Sequence, residues 1–214
     1  DPSCGDGRFL ALHGRSSGVE QDQASAAEAR LAAPDATIHV GDFFSWADGN
    51  SQRFDCAAGN PPFIRYQRFS GAVRTKALAV CEALGARFTA LTSSWAPFLT
   101  ATASLLKPGG RLAFVVPAEV GHAPYATPLL EYLVAHFETV HLVAIRERLF
   151  PDLSEDCWLL YAAGHGGSTT TIRLTAMDRL RALTDVPEAD VEVPVAAWRH
   201  WHHRLRPFLL PSPV

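Results

Sequence analysis

The sequence predicts an α/β fold, a mostly parallel sheet with helices on both faces and a final antiparallel hairpin. Three observations carry that reading. Short β-prone runs alternate with stretches holding apolar residues at helical spacing, the βαβ pattern of a parallel sheet. Arg111-Leu112-Ala113-Phe114-Val115-Val116-Pro117 is a near-continuous apolar run, which fits a strand covered on both faces. The composition, 48% hydrophobic and 19% charged over 214 residues with a formal net charge of -3, suits a globular domain with a sizeable core. No apolar run reaches the length of a membrane span and no signal peptide opens the sequence, so the expectation is a cytoplasmic protein with no membrane partner.

The sequence opens on Asp1-Pro2-Ser3-Cys4-Gly5-Asp6-Gly7-Arg8-Phe9-Leu10, the form of a strand-to-helix turn whose strand would lie ahead of residue 1. Gly5 and Gly7 permit positive φ and close backbone approach to a ligand. A helix through Phe9, Leu10 and Leu12 would aim its amino end at an anionic group. Residues 18–20 read as the end of a second strand, residues 24–33 as an alanine-rich helix stopped by Pro34, and residues 36–40 as a third, alternating strand. Glu20 stands at the end of the second strand, where an acid in a nucleotide-binding fold can accept from both ribose hydroxyls. After the third strand, Asp42 could meet an adenine amino group and Phe43 could pack on that ring; the alternative for Asp42 is a helix or turn cap.

Residues 54–58 read as a buried strand. Gly59-Asn60-Pro61-Pro62-Phe63 follows, and its prolines cannot continue a ladder, so the backbone must leave the sheet at Asn60. A rigid loop at the carboxyl end of a strand, presenting an amide and a ring to one point, suits a flat substrate with a hydrogen-bonding edge, such as a nucleobase. Beyond it, Arg65, Arg68, Arg74 and Lys76 form a basic stretch without an acid among residues 64–76, either a phosphate-binding patch or a solvated face.

Residues 73–84 and 89–106 read as core helices, with Pro97 in the second, and Lys107-Pro108-Gly109-Gly110 as a turn. Residues 127–137 form a helix and 139–145 a strand, joined to a strand over 156–162 by a link too short for a crossover helix, hence an antiparallel pair with Phe150 at its tip. Gly164-His165-Gly166-Gly167-Ser168 marks a boundary between a catalytic domain, residues 1–163, and a connector, residues 164–214. Within the connector, residues 169–174 and 191–193 are β-prone, 177–183 a short helix and 195–205 an aromatic helix. Cys4, Cys56, Cys81 and Cys157 are widely spaced in apolar contexts, and His200 and His203 have no acid or thiol beside them. Neither set points to a disulfide framework or a metal site.

The order Asp1-Pro2-x-Cys4-Gly5-x-Gly7-x-Phe9-Leu10, Glu20, Asp42, Asn60-Pro61-Pro62-Phe63 resembles the class I S-adenosylmethionine-dependent methyltransferases, specifically the branch that methylates the N6 amine of adenine in DNA. The resemblance covers about residues 1–162 and implies a Rossmann-like fold. It implies that Asp1, Pro2, Cys4, Gly5 and Gly7 hold the methionine end of S-adenosylmethionine, Glu20 its ribose and Asp42 its adenine amino group, with Phe43 beside that ring. Asn60 and Pro61 would accept the two N–H groups of the target amine, Pro62 would stiffen the loop, and Phe63 would stack on a flipped adenine, with Phe150 facing it from the other side. Arg65 and Arg68 would meet DNA phosphates, and no metal is needed. Methylation of another planar amine, in RNA, at cytosine N4 or on a protein glutamine, is the nearest rival, and a non-catalytic nucleic-acid-binding module the other. The family's first strand, central in the sheet, would come from before Asp1, and relatives carry a target-recognition domain. The sequence is therefore expected to be part of a longer protein, with a gap where that strand belongs.

Overall fold

The computed structural model of the protein describes residues 1–150, 156–180 and 185–209. They fall into two compact units, Asp1–Lys107 and Pro108–Val214. The architecture is α/β, with helices flanking strands that pair both in parallel, as expected, and antiparallel more often than expected.

In the first unit, β1 (Ser17–Glu20) and β2 (Thr37–Val40) pair in parallel around the crossover helix α1 (Gln23–Ala32). Asp22 caps α1 by accepting the Ser25 N–H at 2.7 Å, which satisfies one of the helix's unpaired first-turn donors. The inner face of α1 is made of Ala26 and Ala29, fully buried. Small side chains are required there, because a Cβ on Gly7 would sit 2.9 Å from the Ala29 Cα. A short α2 (Phe43–Asp48) leads to β3 (Phe54–Gly59), which is followed by α3 (Gly71–Ala83) and α4 (Trp95–Ala103). Every residue of α4 is buried. It is the central post of the unit: the Phe98 ring stacks on Phe43 at 4.7 Å and meets Phe44 edge-on at 5.0 Å. Such aromatic pairs add about 0.5–1.5 kcal/mol each beyond their buried area.

The helix expected over residues 89–106 is shortened at both ends. Thr92, Ser93 and Ser94 are buried ahead of it, and from Leu106 the backbone is already strand. That strand, β4 (Leu106–Pro117), runs through the expected turn, with Gly109 at φ +76° taking the one bend an L side chain resists. Residues 54–58 are also less buried than their apolar content suggests, since Asp55 and Cys56 are exposed. The edge of β3 that faces β1 carries no strand among the described residues. Between the two lies an apolar groove lined by Leu10, Val19, Phe54, Ala57 and Leu105, where the resemblance implies a gap. Asp1 closes its end: its N donates to the Ser17 C=O at 2.9 Å, and its C=O accepts the Val19 N–H at 3.0 Å. Those two bonds are one rung of a parallel ladder.

In the second unit, β5 (Phe137–Ile145) and β6 (Cys157–His165) pair antiparallel, as the short link between them requires, and β6 also pairs antiparallel with the Arg111–Pro117 part of β4. The segment expected to be a connector extends this sheet: β7 (Thr171–Met177) pairs in parallel with β5, and β8 (Val191–Pro194) antiparallel with β7. Met177 thus ends a strand where a helix was expected, and residues 181–184 lie outside the described residues. The aromatic helix is α6 (Val195–His200), shorter than expected because His202 and His203 adopt positive φ. Trp198 is fully buried, and Arg199 and His203 both pair with Glu131 of α5 (Thr127–His136).

Candidate active site

The opening turn is built from its own backbone. Asp1 Oδ1 accepts the Ser3 N–H at 3.0 Å and the Gly7 N–H donates to the Cys4 C=O at 2.8 Å. Gly5 and Gly7 take φ of +52° and +83°, the left-handed region that glycine enters without strain. Glu20 ties the turn to the end of β1: its Oε2 accepts the Gly5 N–H at 2.9 Å and its Oε1 the Asp22 N–H at 2.8 Å. A carboxylate has about four lone-pair sites, so two remain beyond these bonds.

One expectation changes here. The helix after the turn is a single 3-10 turn, Leu10–Leu12, too short to focus a dipole on an anion. Cys4 packs behind the turn, where a Cβ on Gly18 would lie 2.6 Å from its Sγ. Burial, reinforced by the Glu20 carboxylate, pushes the Cys4 thiol above its ordinary pKa, so it stays protonated and acts as packing.

Glu20, Asp42, Phe43, Asn60, Pro2 and Pro62 line one cavity of about 320 Å³. Asp42 does cap α2, its Oδ2 accepting the Ser45 N–H at 2.8 Å. The capping alternative for this residue is therefore the one the structure shows, and Asp42 also lines the cavity. Phe43 is buried with one face against Phe98. The apolar walls include residues that sequence reasoning missed, Ile64, Phe69, Val73 and Phe98. Phe69 is placed by a turn in which its N–H donates to the Arg65 C=O at 2.9 Å. Glycine spacing and acid placement pointed to the polar residues; nothing in the local pattern marked the apolar ones.

The loop after β3 holds the most informative atom. Asn60 Oδ1 is buried and accepts no hydrogen bond from any described residue. Buried carbonyls are nearly always paired, so an unpaired one asks for an explanation. The Asn60 backbone C=O accepts from Ser3 Oγ at 3.4 Å, which joins this loop to the opening turn, and Pro61 is buried beside it. Phe63 is half-buried and lines a second cleft with Ile64, Arg65, Gln67 and Arg68. The Arg65 and Arg68 side chains are exposed there, and Lys76 is paired with Asp48. Phe150 belongs to the second unit, half-buried after β5. No group of three or more His, Cys, Asp or Glu able to hold a metal ion occurs among the described residues, and all four cysteines are free.

Residues 12–150 match the family model described as Eco57I restriction-modification methylase, well over half of the sequence. The protein belongs to the Eco57I restriction-modification methylase family. This family member is 26% identical over 160 residues to the type II methyltransferase M.CvrRI of Paramecium bursaria Chlorella virus XZ-6E, an alignment covering 70% of the present sequence and 38% of the viral protein. It therefore spans well under half the length of that curated relative. Among solved structures, the methylase fold is shared with a component of a type I restriction-modification system (TM-score 0.65, 18% identity, 94% of this protein and 45% of that one). It is also shared with DrdV in its DNA complex (TM-score 0.68, 14% identity, 83% and 24%). At such identities the likeness carries the fold.

Proposed function

We propose that this protein transfers a methyl group from S-adenosylmethionine to the N6 amine of adenine in DNA. The observation that carries the proposal is the unpaired Asn60 Oδ1 at the wall of the cavity, an acceptor waiting for a donor. The cavity fits the cofactor: Glu20 keeps lone pairs for the ribose hydroxyls, Asp42 keeps one oxygen for an adenine amine, and Phe43, Phe69 and Phe98 supply apolar wall. When bound, S-adenosylmethionine supplies an activated, electrophilic methyl group.

The exocyclic amine of adenine is a poor nucleophile, because its lone pair is delocalised into the ring. Asn60 Oδ1 and the Pro61 C=O accept its two N–H groups and favour a pyramidal nitrogen, whose lone pair is then free to react. Pro61 and Pro62 fix φ between the two acceptors and directly after them, which limits the reorganisation required at the moment of transfer. Phe63 stacks on the base outside the helix, which offsets part of the unstacking cost by about 1–3 kcal/mol. Arg65 and Arg68, exposed beside Phe63, meet the phosphates of the target strand.

The test is transfer of labelled methyl from the cofactor by the intact protein to unmethylated genomic DNA, RNA and protein offered in parallel. N6-methyladenine in DNA is the expected product. Label in protein glutamine, in RNA or at cytosine N4, with none at adenine, would overturn the proposal.

A further inference from the structure

Ser94 lies well beyond Asn60 in sequence and is fully buried at the head of α4, yet its contacts are to the catalytic loop. Its Oγ accepts the Ile64 N–H at 3.0 Å, and its hydroxyl proton goes to the Pro62 C=O. Its own N–H donates to the Ile64 C=O at 2.9 Å. The Pro62 carbonyl lies in the peptide plane between residues 62 and 63, and the Ile64 N–H in the plane between 63 and 64. A peptide unit is planar and rigid, so fixing both planes fixes φ and ψ of the residue between them. That residue is Phe63.

We infer that Ser94 is the positioning residue for Phe63: one hydroxyl brackets the two peptide planes flanking Phe63 and thereby sets the Cα–Cβ direction from which its ring reaches the target base. The inference rests on the proposed role of Phe63 as the stacking face. A hydroxyl is suited to the task because it can donate to one plane and accept from the other through a single atom. The anchor is stiff, since α4 is buried along its whole length. Ile64, which shares the third bond, also lines the cavity, so the same clamp registers the stacking face against the cofactor side of the site.

The test compares Ser94→Ala, Ser94→Thr and Ser94→Cys in the intact protein. Ser94→Ala removes both side-chain bonds; Ser94→Thr keeps the hydroxyl; Ser94→Cys keeps the shape with a weak donor and stands in if the alanine variant does not fold. Three measurements are made: amide hydrogen exchange over residues 60–66, calorimetric affinity for S-adenosylmethionine, and single-turnover methyl transfer to DNA. The expected result is faster exchange at Ile64 and transfer reduced at least about tenfold for Ala and Cys, with cofactor affinity within about twofold of the parent and recovery of both losses in Thr. Loss of Ile64 protection with unchanged transfer would overturn the positioning role while leaving the methyltransferase reading intact. Equal loss of cofactor affinity and transfer would assign Ser94 to general support of the fold. If the parent protein transfers no methyl group to DNA, the underlying reading fails and the inference with it.

Discussion

Replacing Asn60 by alanine separates stability from chemistry, because Asn60 Oδ1 is buried without a partner. An unpaired buried acceptor costs a folded protein about 1–3 kcal/mol. Removing it takes that cost away, and the half-buried amide gives up some packing in exchange. The Asn60→Ala protein should therefore be as stable as the parent or more stable by about 1 kcal/mol, which for a protein of this size raises Tm by about 2–4 °C. Transfer should move the other way. One preorganised contact to a reacting group is worth about 3 kcal/mol, so the single-turnover rate should fall by more than about 100-fold. The assay pairs thermal melting with single-turnover transfer of labelled methyl to DNA under saturating cofactor. A Tm lowered by several degrees alongside the lost rate would mean that the amide is structural. A rate within about threefold of the parent would remove Asn60 from the mechanism.

Glu20 and His141 each have defined partners whose loss can be measured. Glu20→Ala should weaken S-adenosylmethionine binding by about 2 kcal/mol, about 30-fold in Kd by calorimetry, because charged hydrogen bonds to the ligand are lost and the Gly5 and Asp22 N–H groups lose their anchor; unchanged affinity would exclude Glu20 from the cofactor site. His141 is buried with Nε2 2.8 Å from Thr175 Oγ1, and since that hydroxyl donates to the Glu188 C=O, the imidazole is the donor to Thr175. Burial, reinforced by Arg173 and opposed by Asp190, holds the pKa of His141 below its ordinary 6.5. The unfolded protein then takes up a proton that the folded one refuses. The contribution is fully present above pH 6.5 and is lost as pH falls below it. Melting between about pH 8 and pH 5 should show this decline, made shallower by His141→Leu; it should not vanish, because burial and Arg206 lower His122 in the same sense. An unaltered pH profile in the variant would remove His141 as a source.

The polar skeleton of the site was legible because each part sits at a fixed place relative to a strand end. Glu20 closes β1, Asp42 follows β2 and Asn60 follows β3, so strand recognition and residue type sufficed. Ser94, Phe69 and Phe98 were not legible, because only the three-dimensional path of the backbone brings them beside Asn60. Ser94 reads locally as one of several hydroxyl residues before an apolar helix. The second unit was harder for a related reason. Residues 169–174 were legible as β-prone, but the extension of the strand to Met177 and its place in the sheet are decided by its parallel partner β5, which is distant in sequence. Leu106 continues the helical apolar spacing of α4 and Lys107 opens a turn-like run in sequence, yet both are recruited into β4. There β4 lies beside β3, whose Phe54 N–H donates to the Leu105 C=O at 2.9 Å and whose Asp55 pairs with Lys107.

The order β4-β6-β5 in the second unit has a consequence for folding during synthesis. β4 and β5 are made first but are not neighbours; each offers an unpaired edge to the strand-wide opening between them. An open edge can recruit a foreign strand as readily as its own. The opening closes only when residues 157–165 arrive, and the pairing of Arg111 with Ala163 closes a long loop, a slow step for any polypeptide. The passage from β5 to β6 is thus the interval in which a nascent molecule is most exposed to wrong partners.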